Sequence, residues 1–549
     1  MPVGNIRPLD MLVILVYFGG VAWAGIFFSR RNKDTEDYFL GGRNFPGWVV
    51  GLSLVGTSIS SLTFMAYPGD GYKTAWLRLI GAFTMPLAIF VASRWFLPFY
   101  RRTKTTSAYE YLERRFGPGT RAYVAIVFIV GQVFRLGSIL FLVSLLLNKI
   151  TGWNLGLCIL VGGVFVSFYT VLGGIEAVIW TDVVQSIVLV FGGLACLAVI
   201  AWHLPGGLSQ IVRECVADGK LRFAETVVNS SVPYQGVDTD WGSILSFKET
   251  SWRFTLYHKT ALMMLLLGLQ NWLYEYSGNQ LVIQRYCASK SPKEARKAMW
   301  FCCCSSVPIW TYFMFLGSAL YVYFKHFPSP EAYNILVGAN GAAAEEILPF
   351  FVLNYLPAGV SGLVVAAVLA AAMSSLDSSI NAIATVSIHD IYRRHLVKEK
   401  DERHYLAAAR WVAIVASVLM LAVAYWLTTL DMKTFQDTGI ILAALMGGGI
   451  FGIFMLGFFV PLGDGRAIFW GIVATTLFTL WRGGITLEWW GGPAGRPWYF
   501  TDDYYTGLLA NICAFLVGFL AAGLIQLFQK KRTNWTNLTV WTQDGEALQ

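Results

Sequence analysis

AAAMSSLDSSINAIATVSIHDIY, residues 370–392, begins as an apolar helix and then carries Ser374, Ser375, Asp377, Ser378, Ser379, Asn381, Thr385 and Ser387. At about 100° per residue, Ser374, Ser378, Asn381 and Thr385 fall within roughly 60° of one another, with Asp377 at the edge of the stripe. Hydroxyls in a membrane helix bond back to the carbonyl four residues earlier or join helices together. Three such groups with an Asp and an Asn exceed that need. Hydroxyl and carbonyl oxygens beside a carboxylate are hard ligands, suited to an alkali or alkaline-earth cation.

The setting of this stripe is a bilayer. Of 549 residues, 56% are hydrophobic and 13% charged, where a soluble domain has roughly 25% charged residues. Runs long enough to cross a hydrocarbon core recur from end to end, about thirteen of them: 10–28, 46–67, 74–98, 121–149, 154–173, 179–203, 259–282, 302–325, 346–388 with an approach segment, 407–429, 437–461, 466–482 and 506–529. The first run lacks a basic flank before it and a small-residue cleavage site after it, so it is expected as a retained span.

The formal charge of +8 sits on alternate loops, among them RRTKTTSAYEYLERRFGPGTR, QRYCASKSPKEARK and YRRHLVKEKDER. By the positive-inside rule these are cytoplasmic. The expected orientation in the plasma membrane is therefore N-terminus outside, C-terminus inside and loop 204–258 outside. The charge is an orientation signal and does not call for nucleic acid. The six histidines show no metal-ligand spacing, no Walker-type glycine loop is present, and no nucleophile–base pair stands out, so neither an ATP-driven pump nor an enzyme is expected.

Two spans are interrupted by polar residues, GLSLVGTSISSLTFMAYPGDGY (51–72) and GLQNWLYEYSGNQLVIQRY (268–286). Either their small residues allow close helix packing, or they are the paired broken helices of a transporter with its site at the midplane. An unwound segment at Gly56–Ser61 would free backbone carbonyls to face the stripe. Two further intramembrane charges need partners. Asp182, in IWTDVVQSIVL, either pairs with Ser374, Asp377 and Ser378 or caps a wetted helix end. Arg135, in FIVGQVFRLGSILFL, faces either the anionic part of a ligand or Glu275 in an ion pair.

Jointly, FLGGRNFPGWVVGLSLVGTSIS, VLGGIEAVIWTDVVQSIVL, NQLVIQRYCASKSPKEARKA and AAAMSSLDSSINAIATVSIHDIY resemble, in order, the sodium:solute symporter family, which includes sodium-glucose and sialic acid carriers. The resemblance implies an all-α polytopic protein with a LeuT-type core of two inverted five-helix repeats. That core is expected at 46–461, with an extra helix and loop at 1–45 and extra helices and a tail at 462–549. The implied function is sodium-coupled import of a small polar solute by alternating access, with sodium as the co-transported ion.

By motif, the family's sodium site falls on backbone oxygens of Gly56, Ile59 and Ala371 and on the hydroxyls of Ser374 and Ser375. The second sodium site of some members falls on Asp182, Ser374, Asp377 and Ser378, with Asp377 standing where a hydroxyl is usual. Candidate solute residues are Ser58, Ser60, Ser61, Thr63, Arg135, Trp272, Glu275 and Tyr276. Thr63 and Trp272 stand where sugar carriers have amides, and Arg78 and Ala82 where sialic acid carriers have an aromatic and an amide. Arg135 favours a carboxylated sugar or other organic anion. A sodium-sugar symporter and a non-transporting solute sensor of the same fold are the alternatives. The expected partners are solute, sodium and lipid, and no oligomer is required.

Overall fold

The computed structural model describes residues 7–29, 35–102, 106–248, 252–257, 259–339, 344–429, 447–486, 503–528 and 538–542. Helices dominate it. The chain starts with α1 (Pro8–Ser29), α2 (Thr35–Leu40), α3 (Gly47–Ser58) and α4 (Ser61–Lys73), followed by a tight 3-10 stretch, Trp76–Thr84. Next come α5 (Met85–Val91), α6 (Leu97–Arg102), α7 (Glu110–Phe116), α8 (Pro118–Thr151) and α9 (Leu155–His203). A cap follows, with α10 (Gly207–Ala217), β1 (Glu225–Val228), α11 (Trp241–Ile244) and β2 (Leu245–Lys248). The second half holds α12 (Ala261–Ser277), α13 (Gln280–Ala288), α14 (Pro292–His326), α15 (Pro330–Val337), α16 (Ile347–Tyr355) and α17 (Val360–Val386). It ends with α18 (Glu402–Leu427), α19 (Ile450–Phe459), α20 (Gly465–Thr486) and α21 (Thr506–Phe528).

Among the described residues, eight helices are long and apolar enough to cross a bilayer, or nine if α3 and α4 form one bent span. The expected count of about thirteen exceeds this for physical reasons. The apolar parts of α1, the first half of α9, and α19 are short, and the span 259–282 divides at Gly278. Residues 437–446 of the eleventh expected run lie outside the described residues. Runs 154–173 and 179–203 form one helix, α9, kinked at Gly174 with φ 61° and ψ −166°, a backbone shape that side chains oppose and glycine permits. The approach segment before the ninth run is a separate helix, α16.

α17 is the post around which the rest packs. Its most apolar window is 89% buried, against 22% for α21, and a helix enclosed on all sides can present polar groups to its neighbours without exposing them to lipid. Large apolar side chains such as Leu12, Phe191 and Leu520 lie exposed on the outer surface, as lipid contact requires. Glycines bring the inner helices into backbone contact: a Cβ on Gly71 would lie 2.1 Å from Met314 O, and one on Gly317 2.1 Å from Pro68 O. That closeness joins α4 to α14.

β1 and β2 pair antiparallel, with Glu225 opposite Lys248. The cap seats on the joint after α4. Buried Lys220 donates to Tyr72 O at 2.9 Å and Thr74 O at 2.8 Å, and Trp76 N donates to Arg222 O at 2.8 Å. These bonds satisfy carbonyls at a helix C-terminus with a cation, the charge its dipole favours. The opposite, basic face carries Arg43, Arg101, Arg393 and Arg394.

Candidate functional site

The site begins where α3 ends. Ile59 (φ −107°, ψ 105°) and Ser60 (φ −104°, ψ 179°) are extended, and the following helix bends away by 55°. The break strips the last carbonyls of α3, from Gly56 onward, of their next-turn donors. A small cavity beside it is lined by Gly56, Ile59, Gln185, Ser186, Ala371 and Ser374, among others. A Cβ on Gly56 would lie 2.8 Å from Ser374 Oγ and 3.0 Å from Ser186 Oγ, so the glycine keeps this space open. Four of the five expected sodium ligands thus line one cavity. The fifth, Ser375, is buried beside it, with its hydroxyl 3.4 Å from Ala371 O. The donor set is all oxygen, as a hard monovalent cation requires.

Beneath this cavity sits an ion pair. Asp182 is fully buried, which excludes the wetted helix cap. It accepts from Ser53 Oγ at 2.6 Å, from Ser374, and from Arg285 Nη2 at 3.1 Å. Arg285 also donates to Ser53 Oγ at 2.8 Å, Leu281 O at 3.0 Å, and Ser378. Of the expected partners of Asp182, then, Ser374 bonds it directly and Ser378 is reached through Arg285. The Ser378 hydroxyl lies 2.5 Å from Ser374 O and 3.3 Å from Asp377 Oδ1, so buried Asp377 bonds within its own helix. A second cation at Asp182, Asp377 and Ser378 requires Arg285 to withdraw, because its guanidinium already holds oxygens of Asp182 and Ser378.

Arg285 is the partner that sequence reasoning missed. It is the second residue of the run QRYCASKSPKEARK and so counts among the loop cations, yet it is 1% exposed. The signal was its place on the short helix after a break: α13 begins only at Gln280, with Asn279 Oδ1 accepting from Leu281 N at 3.0 Å as its cap. Ser53, three residues before Gly56, was missed because a lone serine in an apolar run carries no charge to mark it.

The remaining candidates lie on α3, at the break after it, and on α4, α8 and α12, the last ending at the second break, Gly278. Ser58 Oγ lies 3.9 Å from Cys302 Sγ, and Tyr276 is buried near the same thiol. Ser60 and Thr63 are buried, and Ser61 Oγ is buried with no hydrogen-bond partner among the described residues. Trp272 donates to Gly81 O at 3.3 Å and packs on Trp310 with ring centroids 5.0 Å apart. Glu275 accepts from Asn279 Nδ2 at 2.7 Å. Of the two alternatives for Arg135, the ion pair with Glu275 does not form: among the described residues no carboxylate lies within 4.0 Å of Arg135, although the two charges are near enough to feel each other. Arg78, by contrast, pairs with Asp70 at 2.7 Å.

Comparison with known proteins shows the family and the fold. The profile of the sodium:solute symporter family matches residues 38–474. The chain is 31% identical to the sodium/sialic acid symporter SiaT of Proteus mirabilis (strain HI4320), over 94% of this chain and 95% of that one. It is 29% identical to the human sodium-coupled monocarboxylate transporter 1, over 86% of this chain and 72% of that one. A solved structure described as the substrate-bound outward-open state of a Na+-coupled sialic acid symporter superposes with a TM-score of 0.79 at 28% identity, covering 94% of this chain and 98% of its own. The all-α, LeuT-type architecture and the coupling to sodium follow, and the chain belongs to the sodium:solute symporter family.

Proposed function

We propose that this sodium-coupled symporter carries a carboxylated sugar of the sialic acid class, with Arg135 as the group that receives the carboxylate. The observation that carries this reading is the guanidinium of Arg135, half-buried on α8 with no acid within 4.0 Å among the described residues, while Glu275 is occupied by Asn279. An intramembrane cation in that position awaits an anion. The names of the relatives SiaT and NanT, both sodium/sialic acid symporters, support the same class. Ser58, Ser60, Ser61, Thr63, Trp272, Glu275 and Tyr276 form the walls of this site.

Sodium bridges Gly56, Ile59 and Ala371 carbonyls to Ser374 and Ser375, tying α3 to α17 and holding the broken helix where the solute binds. Linkage then requires sodium and solute to raise each other's affinity by one factor. The transport core spans 46–461, flanked by 1–45 and 462–549. In the plasma membrane the basic face is cytoplasmic and the cap face outside, with the N-terminus outside and the C-terminus inside. Uptake of labelled N-acetylneuraminate, glucose and a monocarboxylate into proteoliposomes, with and without an inward sodium gradient, tests the reading. Sodium-driven uptake confined to the sugar acid supports it; uptake of glucose or the monocarboxylate alone overturns it. Solute binding without flux would identify a sensor.

A further inference from the structure

A second polar layer lies between the Arg285 pair and the basic face. Gln284, 1% exposed, directs Nε2 at three acceptors: Phe39 O on α2 at 2.7 Å, and Asn381 Oδ1 and Thr385 Oγ1 on α17 at 2.8 and 3.0 Å. Thr385 spends its own proton on Asn381 O at 2.9 Å, so its lone pair is free for Gln284. The buried Asn381 Nδ2 has no partner among the described residues, which leaves Gln284 as the side chain that Asn381 engages. One turn earlier, Gln280 accepts from Ala108 N and donates to Thr106 O, both at 2.8 Å.

Each element held in this way runs on to the same cavity. Four residues from Phe39 is Thr35, four from Thr385 is His389, and Thr106 is the partner of Gln280; all three line a cavity of about 510 Å³ on the basic face, with Arg43, Arg101 and Arg393 and with Glu36 and Glu402, which pair with Arg43 and Arg393. Gln284 and its partners therefore lie about one helical turn inward of residues that line the cavity. On the far side of Gln284, the adjacent Arg285 reaches Asp182 and the sodium-site helices.

We propose that Gln284, with Asn381 and Thr385, is the inner gate of the transporter, and that the basic cavity is the vestibule it closes. This rests on the symport reading for its direction of traffic. α13 cannot leave α17 without breaking the Gln284 bonds, and water entering from the cavity supplies the replacement partners. The bonds of this layer join neutral groups, so parting them exposes no charge of the layer's own, while the adjacent Arg285 must keep Asp182 as it gives up Ser378 on α17. Gln284 is a positioning residue that sets how readily α13 departs.

The test uses a native reporter. Cys287, on α13 three residues beyond Gln284, is a free thiol 1% exposed; Cys215, in the cap, is equally buried and serves as the control. The full-length protein in nanodiscs is treated with a hydrophilic maleimide and each cysteine is followed by peptide mass. Gln284→Leu should speed modification of Cys287 by about tenfold, the scale of one or two lost buried hydrogen bonds, with Cys215 unchanged. Thr385→Val, nearly isosteric, should move Cys287 in the same direction by less, and carries the reading if Gln284→Leu does not fold. Unchanged Cys287 labelling in Thr385→Val and in any folded Gln284→Leu, or equal acceleration of Cys215, would overturn the proposal. The labelling needs no solute, so its failure is distinct from failure of the solute assignment.

Discussion

Arg285 Nη2 lies 3.1 Å from Asp182 Oδ2 with neither side chain more than 1% exposed, joining the inner half of one broken helix to the helix that backs the other. Removing one member of a buried pair leaves the other charge unpaired, at a cost of about 3–5 kcal/mol. Asp182→Asn and Arg285→Met should each lower the thermal unfolding temperature of the detergent-solubilised protein markedly. The double variant Asp182→Asn with Arg285→Met should recover part of the loss, since neither charge is then stranded. Strictly additive losses would show that the two residues act independently.

How much of this was legible in the sequence depended on whether a residue's type also reported its depth. The stripe Ser374, Ser378, Asn381 and Thr385 was legible because helical spacing places polar groups on one face whatever surrounds them, and the structure buries all four. The breaks at Ile59 and Gly278 were legible from glycines and hydroxyls where a spanning helix is ordinarily plain. Arg285 was not, because a basic residue beside a basic loop looks the same whether it is buried or wet. Nor was Gln284, and Gln280 was legible only as a polar group of an interrupted span: their partners Thr106, Phe39 and Asn381 are remote in sequence, and only the fold brings them together.

Gly56→Ala tests the cavity without touching a charge. The added Cβ meets Ser374 Oγ at 2.8 Å and Ser186 Oγ at 3.0 Å, both of which lie where a cation must be accommodated. Apparent sodium affinity in uptake assays should fall by at least about tenfold, one unit of 1.4 kcal/mol, and the unfolding temperature should fall with it, because the Ser374 hydroxyl must shift against its bond to Asp182. Ser374→Ala should abolish sodium stimulation, and it also removes a bond to Asp182, so a lower unfolding temperature should accompany it. Sodium stimulation surviving in both variants would remove the cation from this cavity.

Arg135 separates the solute readings. Arg135→Ala should eliminate saturable uptake of an organic anion while leaving sodium-dependent thermal stabilisation in place, because the sodium-site residues are elsewhere. Arg135→Lys should restore the charge and still lose most of the uptake, at least about tenfold, since an ammonium cannot grip a carboxylate through two parallel bonds. Full activity in Arg135→Lys would mean that charge alone is needed and that the carboxylate is not held bidentately.

Lys220 gives a pH dependence confined to the cap. Burial pushes its ammonium from 10.5 down to about 7, and the nearby Cys215 and Asp218 oppose that shift. The undocked cap therefore holds more protons than the docked one between about 7 and 10.5, so docking strengthens as pH rises through this window. Below about 7 both states are protonated and the cost of burying the charge is present in full. Hydrogen exchange at the backbone amides of Arg222 and Trp76, corrected for the intrinsic pH dependence of exchange, should slow from pH 6.5 to pH 9. Lys220→Met removes the titrating group and leaves Tyr72 O and Thr74 O without their donor, so protection should be weaker at every pH and no longer rise across the window. A slope that persists in Lys220→Met would assign the titration to a group other than Lys220.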